Sequence, residues 1–259
     1  MEREVESDGA RISYSVEGPA DAPALLFINS IGTTRDLWAR QVAPLAGRYR
    51  LIRYDARGHG RSSAPSGDYT IAQLGRDALA ILDQVGATSA HVCGISLGGL
   101  TAMWLGVHAP QRVRSLVLAN TSARIGSVQS WTDRIALVRE QGMAGVANLA
   151  IPNWFTPAFR EREPRTVEAF RTMIESCPQD GYLGCCAALR DEDLREAIAD
   201  IRCPVLAVAG RADVPTPVDA LQVIHDRIAG SRLVVLDAAH LSNVEQDHAF
   251  TAAVLDFLT

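Results

Sequence analysis

The stretch HVCGISLGGL, residues 91–100, sets Ser96 between Gly94 and Gly98 in the pattern Gly-x-Ser-x-Gly, with a β-rich run before it and an apolar helical pattern after it. A serine at a sharp strand-to-helix turn presents its hydroxyl above a helix N-terminus, where amide groups and the helix dipole favour developing negative charge. That is the chemistry of a nucleophile in acyl transfer. The glycines fit the same geometry: chain segments crossing at Gly94 and Gly98 leave no room for side chains, and Gly99 lets the helix approach the sheet. A phosphate-binding Gly-x-Gly-x-x-Gly loop is the rival reading, and it fails on spacing. Ser96 stands where the middle glycine belongs, and no acidic residue follows at the required distance after a second strand. The plainer alternative, a serine tolerated in a turn, is decided by the partners, because the motif alone recurs by chance.

A serine hydroxyl attacks a carbonyl only when a histidine takes its proton and a carboxylate fixes that histidine's tautomer. Of the 6 histidines, His240 follows LVVLDAA directly and so occupies the loop beyond a strand's C-terminal end, the edge where open parallel sheets place their sites. Asp213, in AVAGRADVPTP, has the same placement after the preceding strand. Asp237 lies three residues before His240 and reads as a cap of its own strand, and the end of LVLAN offers Asn120 rather than an acid. Ser96, Asp213, His240 is the chain order expected of a serine hydrolase built on such a sheet. The amides of Leu97 and Ile31, the latter in FINSIGTTRDLW, are the expected oxyanion donors, with a sharp turn at Asn29 and Ser30 aiming Ile31 at the same point. Asp55, Arg57 and His59 of DARGHGRSS read as a brace between loops, outside the chemistry.

The elements that must position these residues alternate along the chain. ALLFINS, YRLIRYDA, AHVCGIS, RSLVLANT, PVLAVAGR and RLVVLDAA are strand-like runs separated by helical patterns, which predicts a mostly parallel sheet. The continuous apolarity of LLFI, LVLA, VLAVA and LVVL fits strands buried on both faces. The opening pair, around residues 2–18 and including ISYSVEG, alternates more and predicts an antiparallel edge. Between Ser122 and Ile201 the rhythm stops, and WTDRIALVREQGMAGVANLA, TVEAFRTMIESC, DGYLGCCAALR and DEDLREAIADI read as successive helices. We therefore expect a core of residues 1–122 and 201–259 with a helical cap, 123–200, inserted between two strands of one sheet.

Composition removes several other functions. With 259 residues, 47% hydrophobic and 21% charged, the chain is sized for one main globular core with an inserted subdomain. Its net charge of -5, with no basic run, argues against a nucleic-acid partner. All 25 basic residues are arginine, so Schiff-base catalysis and a Walker lysine are excluded. Cys93, Cys177, Cys185, Cys186 and Cys203 have neither CxxC nor Cys/His spacing, so we expect reduced packing thiols and no metal. No apolar run reaches the ~20 residues of a membrane helix. The acidic, polar start MEREVESDGARISYS is unlike a secretory leader, which points to a cytoplasmic protein. Nothing in the sequence specifies an oligomeric state.

Taken together these residues resemble the α/β-hydrolase superfamily over nearly the whole chain. Within it, GISLGGLTAMWLGVHAPQRVRSLVLANTSARIG, WTDRI, NWFT, GYLGCCAALRDEDLR and AAHLSNVEQ resemble the 3-oxoadipate enol-lactonase family, with INSIGT in place of the commoner His-Gly motif. The resemblance implies an α/β-hydrolase fold with an inserted helical cap, and triad roles for Ser96, Asp213 and His240. It implies hydrolysis of a small lactone or ester with water as co-substrate and no cofactor. A carboxylesterase, a lactonase for a different ring, or a non-catalytic binding member of the fold are the alternatives. Asn153, before Trp154, departs from the arginine of the family's RWFT pattern. A lactone of this family carries a free acid, which the cap must meet with a cation. Arg134 is the first candidate because it shares a helical face with Trp131, three residues earlier. Arg124 is the second, and Trp154 completes an apolar wall.

Overall fold

The computed structural model describes residues 2–259. The chain forms β1 (Glu2–Ser7), β2 (Ala10–Glu17), β3 (Ala24–Ile28), α1 (Ala39–Leu45), β4 (Arg50–Tyr54), α2 (Ile71–Gln84), β5 (Ala90–Ile95), α3 (Leu97–His108) and β6 (Val113–Ala119). Then follow α4 (Val128–Trp154), α5 (Pro157–Arg162), α6 (Pro164–Glu175), α7 (Gln179–Asp191), β7 (Val205–Gly210), α8 (Val218–Arg227), β8 (Arg232–Leu236), α9 (Ser242–Glu245) and α10 (Asp247–Leu258). The strands make one 8-stranded sheet in the order β1-β2-β4-β3-β5-β6-β7-β8. β1 and β2 pair antiparallel with each other, and β2 antiparallel with β4. All the remaining pairings are parallel.

Burial follows the sequence pattern with one exception. Every residue of β3 and β7 is buried, as two-sided covering of a central strand requires. β8 was expected to be equally buried from its LVVL run, but it closes the sheet as an edge, and Leu233, Val234 and Val235 are only half-buried. Apolarity reports that a strand packs on something; it does not report how many neighbours the strand has. The helices pack against both faces, and Phe250 of α10 joins Trp38 and Phe27 in an aromatic cluster.

Between β6 and β7 the chain leaves the sheet for the helices α4 to α7. Helix α4 starts earlier than the expected WTDRI, because Ser127 and Ser130 cap its first turn reciprocally. It bends at Gly142, whose φ of 63 and ψ of -165 are non-helical. The DEDLREAIADI segment is mostly irregular, keeping only a 3₁₀ turn at Ala197–Asp200. Asp193 explains the loss: its carboxylate accepts from the Arg195 amide at 3.2 Å and the Arg195 guanidinium at 2.6 Å, which offers the backbone an alternative to helix.

Candidate active site

Strand β5 ends at Ile95 and helix α3 begins at Leu97, so Ser96 alone makes the turn, with φ 57 and ψ -120. A non-glycine residue in that region costs about 1–3 kcal/mol and persists only where the surroundings enforce it. Here they do. The Ser96 amide donates to Ala119 O at 3.1 Å, and Ser96 O accepts from the Thr121 hydroxyl at 2.8 Å and the Leu100 amide at 3.0 Å. The glycine reading holds in detail: a Cβ on Gly94 would lie 2.2 Å from Gly98 O, one on Gly98 2.2 Å from Ile28 O, and one on Gly99 2.6 Å from Thr121 Cβ. Three segments, β5, α3 and the end of β3, therefore meet at backbone distance around the serine.

Asp213 follows β7 and His240 follows β8, and their side chains meet. His240 Nδ1 donates to Asp213 Oδ2 at 2.9 Å, which leaves Nε2 as the ring nitrogen free to take a proton. Asp213 is fully enclosed and accepts further from the Thr216 amide at 3.0 Å, the Thr216 hydroxyl at 2.8 Å and Asn120 Nδ2 at 2.8 Å. Burial pushes its carboxyl up, but the His240 charge and hydrogen bond, with the Thr216 amide and Asn120, outweigh that and hold it below the usual carboxylate range. An ionised Asp213 is what stabilises an imidazolium beside it. Asp237 is 79% exposed at its side chain and pairs with Arg211 on the surface, remote from this arrangement.

The loop after β3 turns at Ser30–Thr33, where the Thr33 amide and hydroxyl both donate to Ser30 O, at 3.3 and 2.7 Å. Gly32 takes the positive φ, 76, that the turn needs. Its amide donates to His59 Nε2 at 2.8 Å, and His59 Nδ1 donates to Arg57 O at 3.1 Å. Burial lowers the His59 pKa against the opposing pull of the Arg57 carbonyl and Asp55, so the ring stays neutral and keeps an acceptor for Gly32. His59 is thus a brace, holding the loop that carries Ile31. The amides of Ile31 and Leu97 have no protein acceptor among the described residues. Asn29, first of the INSIGT residues to leave the strand, is spent on structure: it donates to Tyr54 O at 2.7 Å and accepts from Trp38 Nε1 at 2.9 Å.

Ser96 and His240 line a cavity of about 300 Å³, at the small end of ligand pockets. Ser30 and Ile31 form one side, Val214 and Pro215 the rim, and the inserted helices supply Trp131, Arg134, Asn153, Trp154 and Tyr182. Arg134 donates to the Tyr182 hydroxyl at 2.9 Å and lies 5.8 Å from the Trp131 ring centroid. Among the described residues no carboxylate lines this cavity. Arg124, expected as a second cation here, turns away: its guanidinium is committed to Asp193 at 2.8 Å, so it is not among the lining residues. The sequence pointed to His59 as a brace but not to the other residues that hold the site in place, Asn120, Thr216 and Glu245, nor to the lining residue Tyr182. Among the described residues no group of histidine, cysteine or acidic side chains has metal-binding geometry, and no helix is long and apolar enough to cross a membrane.

A mostly parallel sheet with a strained serine after its central strand, a carboxylate-bound histidine at the sheet's edge and a helical insertion above both defines the α/β-hydrolase class. A family model described as the alpha/beta hydrolase fold matches residues 23–247, and the chain belongs to that family. Within it, the chain is 45% identical to 3-oxoadipate enol-lactonase 2 of Acinetobacter baylyi, covering 94% of this chain and 91% of the relative. It is 38% identical to 3-oxoadipate enol-lactonase 1 of the same organism, covering 93% and 91%. The crystal structure of the enol-lactonase from Burkholderia xenovorans LB400 superposes with a TM-score of 0.97 at 38% identity, covering 99% of both chains.

Proposed function

We propose that the protein is a carboxylic-ester hydrolase that opens 3-oxoadipate enol-lactone to the keto-diacid, with Ser96 as nucleophile, His240 as base and Asp213 as its orienting acid. Kinship with the enol-lactonases supports the reaction class. The observation that carries the substrate class is Arg134, a permanent cation lining the same cavity as Ser96 and His240, in which no carboxylate answers it. A free acid on the substrate supplies the missing partner, and a charged hydrogen bond of this kind is what keeps a carboxylate in a partly dry pocket.

The reaction runs through an acyl-enzyme. Ser96 Oγ attacks the lactone carbonyl while His240 Nε2 takes its proton, and the oxyanion sits between the Ile31 and Leu97 amides. The ring C–O bond breaks, the enolate oxygen leaves, and protonation with tautomerisation to the ketone makes ring opening effectively irreversible. Water, deprotonated by His240, then attacks the acyl carbon, and Ser96 leaves with the proton. Residues 123–200 act as the cap over this chemistry, with Trp131 and Trp154 as apolar walls and Arg134 as the carboxylate anchor. Water is the only co-reactant, and the site of action is the cytoplasm.

Steady-state comparison of the enol-lactone with its methyl ester and with p-nitrophenyl acetate tests this reading. It requires kcat/KM to be highest for the free acid. A preference for the neutral esters would make the protein a general carboxylesterase instead.

A further inference from the structure

Glu245, the last residue of α9, is 7% exposed and has no cationic partner among the described residues. A buried carboxylate without a cation is costly unless donors surround it. Glu245 has three. Its Oε2 accepts from the Ala239 amide at 3.0 Å and the Thr156 amide at 3.2 Å, and its Oε1 accepts from the Thr156 hydroxyl. Ala239 immediately precedes His240, and Thr156 lies two residues beyond Trp154 of the cavity wall. A second tie runs in parallel, from the Leu241 amide to Trp154 O at 3.1 Å. The segment Ala239–His240–Leu241 is therefore fastened on both sides of the histidine to the cap residues Trp154–Thr156, once through the carboxylate and once directly. The α4 segment, which ends at Trp154, carries Trp131 and Arg134 on the far side of its break at Gly142.

We infer that Glu245 is a positioning residue that couples the substrate-holding wall of the cap to His240, so that seating the carboxylated substrate against that wall also sets the angle of the base. The inference rests on His240 being the base. The carboxylate suits this task because one side chain presents acceptors to both the cap and the histidine loop. A glutamine keeps one acceptor oxygen for the two amides and turns its NH2 toward the Thr156 hydroxyl, which can accept it. An alanine leaves all three donors unpaired. A substrate that reaches Ser96 without leaning on the cap depends on the histidine loop alone and is indifferent to the Thr156 half of the tie.

The test is a ratio, kcat for the enol-lactone over kcat for p-nitrophenyl acetate, measured with thermal midpoints for Thr156→Val, Glu245→Ala and Glu245→Gln. A misplacement of about 1 Å caused by a mutation away from the chemistry can cost about a hundredfold, and a smaller shift correspondingly less. Thr156→Val should lower lactone kcat by about tenfold with acetate turnover within about twofold of wild type. Glu245→Ala should lower both, the lactone more, and Glu245→Gln should recover most of the ratio. Lower thermal midpoints with an unchanged ratio in Thr156→Val and Glu245→Ala would reduce Glu245 to a stability element and overturn the coupling. His240→Ala separates the two levels: if it keeps turning over the lactone, the assignment of the base has failed; if it is inactive while Thr156→Val keeps the wild-type ratio, only the coupling has failed.

Discussion

Replacing Arg134 with alanine removes the cation of the cavity while leaving Ser96, His240 and Asp213 untouched. Among the described residues its guanidinium makes one hydrogen bond, to the Tyr182 hydroxyl at 2.9 Å, and a cation–π contact with Trp131 at 5.8 Å. Most of its donors are therefore open to a ligand. A hydrogen bond to a charged group is worth about 1.5–3 kcal/mol. At about 1.4 kcal/mol per tenfold, that converts to roughly a 10- to 150-fold loss in kcat/KM for the free-acid lactone. The methyl ester offers no charge to lose, so its kcat/KM should change by less than about threefold. The packing against Trp131 adds only about 0.5–1 kcal/mol to stability, so the variant should stay folded. The assay follows ring opening by the loss of enol-lactone absorbance, with both substrates run on wild type and variant. Equal losses on the two substrates would mean that Arg134 shapes the cap rather than binding the acid. No loss on either would remove it from the substrate.

Asp213→Asn should cut turnover by roughly 10⁴-fold through loss of the correct histidine tautomer, whereas Asp237→Asn, which breaks only an exposed pair with Arg211, should change it less than about twofold; the reverse ranking would assign the acid wrongly. Gly98→Ala drives a Cβ to 2.2 Å from Ile28 O, in the strand that leads to Ile31, so it should destabilise by about 1–3 kcal/mol in urea melts and lower kcat in the same variant. The Asp213 pKa is lowered on folding, so ionised Asp213 stabilises the fold above the ordinary carboxylate range, about pH 4, and this contribution is lost as pH falls through its depressed folded value. Thermal midpoints from pH 2 to 6 should therefore decline less steeply in Asp213→Asn than in wild type, and identical slopes would argue against the shift.

Residues set at strand ends were legible in the sequence, because a parallel sheet fixes where the loops after its strands must gather. Asp213 and His240 came from that rule, Ser96 from its Gly-x-Ser-x-Gly setting, and Arg134 with Trp131 from the three-residue spacing of one helical face. Asn120, Thr216 and Glu245 were not legible: each acts across a tertiary contact, and an asparagine after a strand or a glutamate in a short helix carries no periodic signature of its partner. Helix α5 did leave a signal, with Thr156 capping, Pro157 at its first position and Arg160 and Arg162 in its last turn, but it is short enough to pass for loop. Arg124 misled because a cation's place at the start of the cap segment says nothing of a competing carboxylate such as Asp193.

Turnover of 3-oxoadipate enol-lactone by the wild-type protein beside Ser96→Ala bears most directly on the central claim. The account predicts rapid ring opening by wild type, a loss of about 10⁴- to 10⁶-fold in Ser96→Ala with an unchanged circular dichroism spectrum, and an acyl adduct on the Ser96 peptide after acid quench. Lactone hydrolysis retained at a tenth or more of the wild-type rate in Ser96→Ala, or a wild-type protein that leaves the lactone intact, would contradict it.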